Sequence, residues 1–503
     1  MSLEGYKVIT AREMARIEKL SIQEGASDEG YMLKAGAGIA ERVASFIKEK
    51  RLQKRVTLLV GKGNNGGDAF VAGTLLLKKG YIVQAYHLFP MEESSSLCQK
   101  NKQAFTDAGG LVFFPKKAAE ISCKGVVLDG LLGTGFQGQL EGILLDAVEH
   151  VNRSKQPILA IDIPSGVNGN TGEVNPAAVN AAETIFLGLP KIGFFLGEGY
   201  NYIGKLSPVD FGLELRYVHQ ACGTAHMLNE KNLPGLLPEL TRTRHKYQAG
   251  YVLAVSGSPG MPGAAMLTCL AALRTGAGII RLFHPMGMEN ELLHAPYEVI
   301  RTPYKDDPAA LLLEMSRAAA MLIGPGLGRA KERGTFLKSF IDHITVPTVI
   351  DADGLFHLKG MFAKFPFPCV LTPHHREMLQ LLGKEKFDDM FEECQKFAHE
   401  NAITLVLKGA PTFIFHKDKP PLIIARGDPG MATAGTGDVL TGMIAALLAQ
   451  KLPLREAAAL GVYMHARAGE CVAEKNTSYD LIASDLLEAL PRVFKELSDL
   501  SLM

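Results

Sequence analysis

The chain has 503 residues, more than one ordinary core holds, so length alone implies about two to four domains. Hydrophobic residues make up 47% and charged residues 21%, the balance of a globular protein rather than a disordered one. Lys plus Arg and Asp plus Glu stand at 53 each, so no global field draws in nucleic acid or an anionic membrane, and an anionic ligand has to be held by local geometry.

The first ten residues hold no long apolar run, and none of about 18 uninterrupted apolar residues occurs anywhere, so neither a secretory leader nor a membrane span is expected. The cysteines at 98, 123, 222, 269, 369, 394 and 471 are scattered singly. Without a CxxC pair they indicate neither a zinc site nor a redox dithiol, and they fit the reduced thiols of a cytoplasmic protein.

Residues 11–50 read as helical, with Met14, Ile17, Leu20 and Ile22 forming a partial apolar stripe and Ile39, Val43 and Ile47 recurring one turn apart. Alternation follows: a strand at Val56–Val60 ending in Gly61, a helix from about Asp68 to Lys79, then strands at Ile82–Leu88, Val126–Leu128, Ile158–Ile163 and Thr184–Leu187. Such alternation predicts a parallel sheet covered on both faces. Residues 213–247 break the rhythm with Pro234, Pro238 and the basic cluster Arg242, Arg244, His245 and Lys246, and they read as a domain junction. The cluster is solvated surface on the plain reading and a flap over a nucleotide on the functional one. A second series follows, with strands at Tyr251–Val255, Ile279–Phe283, Ala320–Ile323, Thr348–Ile350, Cys369–Leu371, Ile403–Leu407 and Thr412–Phe415. Helices at about Thr436–Gln450, Leu454–Glu474 and Leu481–Leu490 end the chain.

The densest motif of the first half is Gly61-Lys62-Gly63-Asn64-Asn65-Gly66-Gly67-Asp68, between a strand and a helix. Glycine there permits a sharp turn and brings backbone N–H groups close to a phosphate. The motif is neither a dinucleotide-fold GxGxxG fingerprint nor a Walker loop. Asp129 leads Gly130-Leu131-Leu132-Gly133-Thr134-Gly135, and Asp162 leads Ile163-Pro164-Ser165-Gly166, both at strand C-terminal ends, the ligand edge of an open α/β sheet. One such acid is usually a cap; Asp68, Asp129 and Asp162 beside three glycine loops point to a site. Oxygens of Asn65, Asp129 and Ser165 suit a hard cation.

The strings GKGNNGGD, LDGLLGTGF and AIDIPSGVNGNTG, in this order, resemble the NAD(P)H-hydrate epimerase domain over about residues 9–212. The resemblance implies a Rossmann-like fold that interconverts the R and S hydrates at nicotinamide C6. It implies dinucleotide contacts from Asn64, Asn65, Gly66, Gly67 and Asp68 and from Gly133, Thr134, Gly135, Phe136, Gln137, Gly138 and Gln139. It further implies potassium ligands at Asn65, Asp129 and Ser165, and a substrate-contacting, acid–base Asp162. The sequence departs from the family at Ala69, usually glycine, and at YMLKAGAG over residues 31–38.

In the second half, Ala434-Gly435-Thr436-Gly437-Asp438 opens a long helix. Free N–H groups and the helix dipole favour an anion there, and an adjacent Asp438 is placed to take a hydroxyl proton, the pairing that phosphoryl transfer to an alcohol needs. The plain alternative makes Thr436 an N-cap and Asp438 a first-turn charge. Lys408, Gly409, Ala410, Pro411 and Thr412 join two strands, a position suited to nucleotide phosphates. His374, after a strand, is by itself more often a cap or a surface residue. SGSPGMPGAAMLTCLAALRTGAGI, GPGLG, IDADGL, LTPHHREM, VLKGAPT and AGTGDVLTGMIAALLAQ together resemble the NAD(P)H-hydrate dehydratase domain, of ribokinase-like fold, over about 228–503. This resemblance implies that Ala265, Gly326 and His374 touch the hydrated dinucleotide. It also implies that Lys408 to Thr412 and Gly437 hold the adenine nucleotide, and that Asp438 is the catalytic group. HHRE stands where the family usually reads HPGE.

The expected architecture is therefore α/β with two three-layer sandwiches: an epimerase-like domain at 1–215, a linker at 216–227 and a dehydratase-like domain at 228–503. The two resemblances in this order match the bifunctional hydrate-repair family. They imply a homo-oligomeric cytoplasmic enzyme acting on NADHX and NADPHX, with ADP or ATP as co-substrate, potassium at the epimerase site and magnesium with the nucleotide. The alternative is a ribokinase-like kinase for a vitamin precursor, carrying an N-terminal non-catalytic binding module.

Overall fold

Apolar runs that end in glycine or aspartate become strands, and the computed structural model describes residues 2–136, 138–305, 307–360 and 365–500. The chain divides into two units, one of Tyr6–Thr224 and one of Met1–Gly5 with Ala225–Met503, and the boundary at residue 5 cuts through strand β1 (Glu4–Val8). The stretch expected as a linker holds a helix, Leu215–Gln220, and the strand β9 (Ala225–Leu228).

The first unit is built on β2 (Arg55–Val60), β3 (Ile82–His87), β4 (Leu111–Phe113), β5 (Val126–Gly130), β6 (Ile158–Ile161), β7 (Glu183–Leu187) and β8 (Lys205–Val209). Their order is β4-β3-β2-β5-β6-β7-β8, and every pair is parallel. All five residues of β5 are buried, as a strand covered on both faces requires. Along β2 the side chains alternate between two cores: Val56, Leu58 and Val60 pack with Ile39, Phe70 and Phe105, and Leu59 packs with Val127, Val148 and Val151. Strand order reverses between β2 and β5, which opens the crevice where such sheets hold ligands.

Three local expectations are corrected. Residues 11–50 are two helices, Ala11–Gln23 and Asp28–Glu49, because Gly25 takes φ +108° and the Ser27 hydroxyl accepts from the Gly30 N–H as an N-cap. The helix after β2 begins at Asn64 rather than Asp68, so the two asparagines and two glycines form its first turn. Strand β6 stops at Ile161 because Asp162 takes φ +63°.

The second unit carries β10 (Tyr251–Val255), β11 (Ile279–Pro285), β12 (Val299–Tyr304), β13 (Ala320–Ile323), β14 (Thr348–Ile350), β15 (Cys369–Leu371), β16 (Thr404–Leu407), β17 (Thr412–His416) and β18 (Lys419–Ile424). The sheet runs β1-β9-β18-β17-β16-β15-β14-β13-β10-β11-β12. It is parallel from β16 through β12, and antiparallel at β16–β17 and β17–β18. Helix Thr436–Ala449 is buried from Val439 onward. It packs on helix Pro262–Arg274 so closely that a Cβ on Gly442 would lie 2.1 Å from the Thr268 carbonyl oxygen. Among the described residues no helix is long and apolar enough to cross a membrane.

Candidate active sites

In the first unit, the loops after β2 and β5 meet over the strand-order reversal. A Cβ on Gly61 would sit 1.7 Å from the Leu131 carbonyl oxygen, so only glycine lets the two loops close on each other. The same contact logic accounts for Gly130: an added Cβ there would come within 2.8 Å of the Ala69 methyl. Beside these loops lies a cavity of about 530 Å³ whose wall includes Asn64, Asn65, Asp68, Gly133, Thr134, Gly135, Phe136 and Asp162. The sequence-expected dinucleotide residues Gly66, Gly67, Gly138 and Gln139 are not on that wall, and Gln137 lies outside the described residues.

The cavity is acidic. Asp162 forms an ion pair with the fully buried Lys191, and its Oδ1 also accepts from the Leu187 N–H at 3.2 Å. Glu18 and Asp28, neither singled out in the sequence, join Asp68 and Asp162 on the wall. Burial, then the charges of Asp162, Glu18 and Asp28, push the Asp68 carboxyl well above its ordinary value. Burial and Asp162 push Glu18 up to about 7, against the pull of Lys191.

Beneath the loops, Asp129 is fully buried. Its Oδ1 accepts the Ser165 hydroxyl at 2.7 Å and the Leu131 N–H at 3.2 Å, and its Oδ2 accepts the Ser165 N–H at 2.9 Å. Burial still holds the carboxyl up at about 6, because these donors are neutral and no ion pair reaches it among the described residues. The Asn65 amide donates to the carbonyls of Leu132 at 2.7 Å and Ile161 at 3.1 Å. The Asp129 carboxylate, the Ser165 hydroxyl and these two carbonyls are hard oxygen donors of the kind a monovalent cation takes, and the Asn65 side chain meets the carbonyls through its NH2 group.

In the second unit, three strand-end loops are laced together. Ser256 and Ser258 donate to the carbonyls of Pro325 at 2.5 Å and Gly326 at 2.8 Å, and Asp353 accepts the Gly328 N–H at 2.9 Å. At the end of β14, the buried Asp351 takes the Lys408 ammonium at 2.6 Å on Oδ1 and the Thr441 hydroxyl at 2.6 Å on Oδ2. Gly435, at φ +93°, opens the helix that begins at Thr436, and a Cβ on Gly437 would stand 3.4 Å from the Lys408 ammonium. Half-buried Asp438 lies in that first turn, and burial with the Asp351 charge pushes its carboxyl up to about 6, against the pull of Lys408. The half-buried His465 imidazole, driven down to about 4 by desolvation, donates to the Thr436 carbonyl at 2.8 Å and fixes the turn.

The structure thus brings Lys408, Gly437 and Asp438 together around Asp351. Gly409 and Ala410 are exposed beside them, and the Thr412 hydroxyl bonds the Gly409 carbonyl at 3.0 Å. Pro411 is buried in the same turn. Ala265 is fully buried, and a Cβ on Gly257 would meet its methyl at 3.1 Å, so only its backbone is left to face a ligand. Gly326, at φ +63°, turns over Ala264 instead. His374 is the N-cap of the His375–Leu382 helix, accepting from Glu377 N–H at 3.2 Å, as the plain reading of a lone histidine expects. The basic cluster Arg242, His245 and Lys246 is exposed, and Arg244 bonds Gln450 at 2.7 Å. Among the described residues no group of three or more His, Cys, Asp or Glu side chains converges as a metal site.

A Rossmann-like unit and a ribokinase-like unit, each with glycine loops at the C-terminal edge of a parallel sheet, define a two-headed nucleotide-handling enzyme. Residues 29–193 match the family described as YjeF-related protein N-terminus, and residues 252–492 match NAD(P)H-hydrate dehydratase. The chain is 32% identical to the bifunctional NAD(P)H-hydrate repair enzyme of Moorella thermoacetica, over 98% of this chain and 97% of the relative. It is 31% identical to that of Coxiella burnetii, over 95% and 97%. A solved hypothetical protein of Streptococcus mutans matches with a TM-score of 0.50 at 26% identity, covering 54% of this chain and 99% of that one. The chain belongs to the bifunctional NAD(P)H-hydrate repair enzyme family.

Proposed function

We propose that the chain returns hydrated NADH and NADPH to their working forms in the cytoplasm as a homo-oligomer. The Tyr6–Thr224 unit exchanges the R and S epimers at nicotinamide C6. The second unit dehydrates the S form at the expense of ADP, giving AMP and phosphate, or of ATP. The observation that carries this reading is the position of Asp438: half-buried, in the first turn of a glycine-opened helix, beside the Lys408–Asp351 pair.

Hydroxide is a poor leaving group, and the second site answers that difficulty. Asp438 takes the proton of the C6 hydroxyl as its oxygen forms a bond to the terminal phosphorus of ADP, and the bridging P–O bond breaks to release AMP. The ring-nitrogen lone pair then expels phosphate from C6, and loss of the C5 proton restores the double bond. Lys408, held by Asp351, and the N–H groups from Gly435 onward stabilise the charge on the transferring group. Magnesium fits as a companion of the phosphates rather than as a resident of an all-protein cage, since among the described residues no three His, Cys, Asp or Glu side chains form a metal cage.

In the first site Asp162, oriented by Lys191 and the Leu187 N–H, contacts the nicotinamide end, and the Asn64–Asp68 turn and the Gly133–Gln139 loop hold the dinucleotide. Asn65, Asp129 and Ser165 would hold potassium, which supplies the positive charge that Asp129 lacks. The test is incubation with mixed epimers, with and without ADP, ATP and potassium. Complete recovery of reduced-nicotinamide absorbance is expected with nucleotide present. Recovery that stops when the S form is spent would remove the epimerase half. A phosphorylated product that persists would leave a ribokinase-like kinase with a non-catalytic N-terminal module.

A further inference from the structure

Four carboxylates from four elements line the cavity of the first unit: Glu18 from helix Ala11–Gln23, Asp28 from helix Asp28–Glu49, Asp68 from helix Asn64–Lys78, and Asp162 just beyond the end of β6. Asp162 has its counter-charge in Lys191. Among the described residues the Glu18 and Asp68 side chains form neither hydrogen bonds nor ion pairs. A half-buried glutamate kept for stability is ordinarily paired or capped, and Glu18 is neither. Its helix is already anchored without it: Met14, Ile17 and Ser21 are buried, and Thr10 caps the N-terminus by accepting from Glu13 N–H at 3.0 Å.

We infer that Glu18 is a second acid–base residue of the epimer-exchange site, giving a proton to the C6 hydroxyl of the bound hydrate and later recovering one. The inference rests on the epimerase reading above. In the step, the Glu18 proton passes to the hydroxyl oxygen, the C6–O bond breaks with its electron pair on departing water, and the N1 lone pair closes an N1–C6 double bond. Solvent water then adds to the other face of C6, the π electrons return to N1, and the proton of the added water goes back to Glu18. Nothing is oxidised or reduced, and one water leaves as one enters.

The charged groups bearing on Glu18 are Asp162 and Lys191 from beyond the β6 and β7 ends, Asp28 from the next helix and Asp68 from helix Asn64–Lys78, while Lys62 on the same wall pairs with Glu93 at 3.1 Å. Their balance, with burial, keeps Glu18 protonated up to about 7, where an acid of this kind works best. Asp162, paired with Lys191, faces the hydrate from the same wall.

The experiment compares the full-length chain with Glu18→Gln, following R-to-S exchange across pH and S-hydrate dehydration with ADP as the control in the same molecule. Expected are a fall in kcat of exchange by about 100-fold or more with KM little changed, loss of the decline above neutral pH, and dehydration at the wild-type rate. Glu18→Asp restores part of the rate and the pH limb. Exchange by E18Q at the wild-type rate, or a defect confined to KM with an unaltered pH profile, overturns the role of Glu18. A wild-type chain that exchanges no epimers overturns the epimerase reading itself.

Discussion

Lys408 and Asp351 stand 57 positions apart in the chain and 2.6 Å apart in space, with Asp351 buried at the end of β14 and Lys408 reaching across β15 from the end of β16. The ammonium is thereby held beside the start of the Thr436–Ala449 helix. Lys408→Met strips a buried carboxylate of its counter-charge, and a loss of about 2–4 kcal/mol in urea unfolding is expected. Adding Asp351→Asn removes the orphaned charge and should recover part of that loss. A double variant no more stable than the sum of the two singles would show that the pair is not coupled.

Asp438 makes opposite demands on stability and on rate. Its folded value of about 6 lies above the ordinary 3.8, so ionising it costs the folded state. The stability that the neutral carboxyl contributes is full below the ordinary value and is lost as pH rises through about 6. Asp438→Asn should therefore be more heat-stable than wild type above that pH, by about 1–3 kcal/mol, and equal to it in acid. Dehydration by wild type should rise through the same pH as the base ionises. The variant should be slower by about 100-fold or more, with that limb gone.

The Asp162–Lys191 pair gives a third expectation. Lys191 is fully enclosed, so Lys191→Met leaves Asp162 without its cation. Epimer exchange should collapse and the first unit should lose about 3 kcal/mol, while S-hydrate dehydration persists. Loss of both activities together would mean that Lys191 serves the whole chain rather than one site.

With potassium held as proposed by Asp129, Ser165 and Asn65, a cluster that exists only in the folded chain, the ion should raise the melting temperature. Sodium at the same ionic strength should raise it less. In Asp129→Asn the difference between the two salts should vanish in differential scanning fluorimetry. A variant that keeps the full difference would place the cation elsewhere.

Much of the fold was legible because buried parallel strands leave an unmistakable trace. The Val56–Val60 and Tyr251–Val255 runs are continuous apolar segments that stop at glycine loops, and they form β2 and β10. Strand β18 was hidden by Pro420 and Pro421, which the sheet tolerates because they fall where the β17–β18 register shifts. Glu18 was hidden for another reason: on a helix rich in exposed charges it reads as one more solvated residue, and only the fold turns it toward the cavity. Lys191 did leave a signal. A lone lysine within LGLPKIGFF is costly to bury unless a carboxylate waits for it, and Asp162 does. At Ala265 the fold shows what the motif string does not, the packing of its methyl under the Gly257 turn.

The stoichiometry of the second site tests the phosphorylation of the C6 hydroxyl most directly. Purified S hydrate and ADP, incubated with the protein and separated by chromatography, should give reduced dinucleotide, AMP and orthophosphate in equal amounts, with Asp438→Asn yielding none of the three at a comparable rate. Recovery of reduced dinucleotide without AMP, or at full speed in Asp438→Asn, would contradict it.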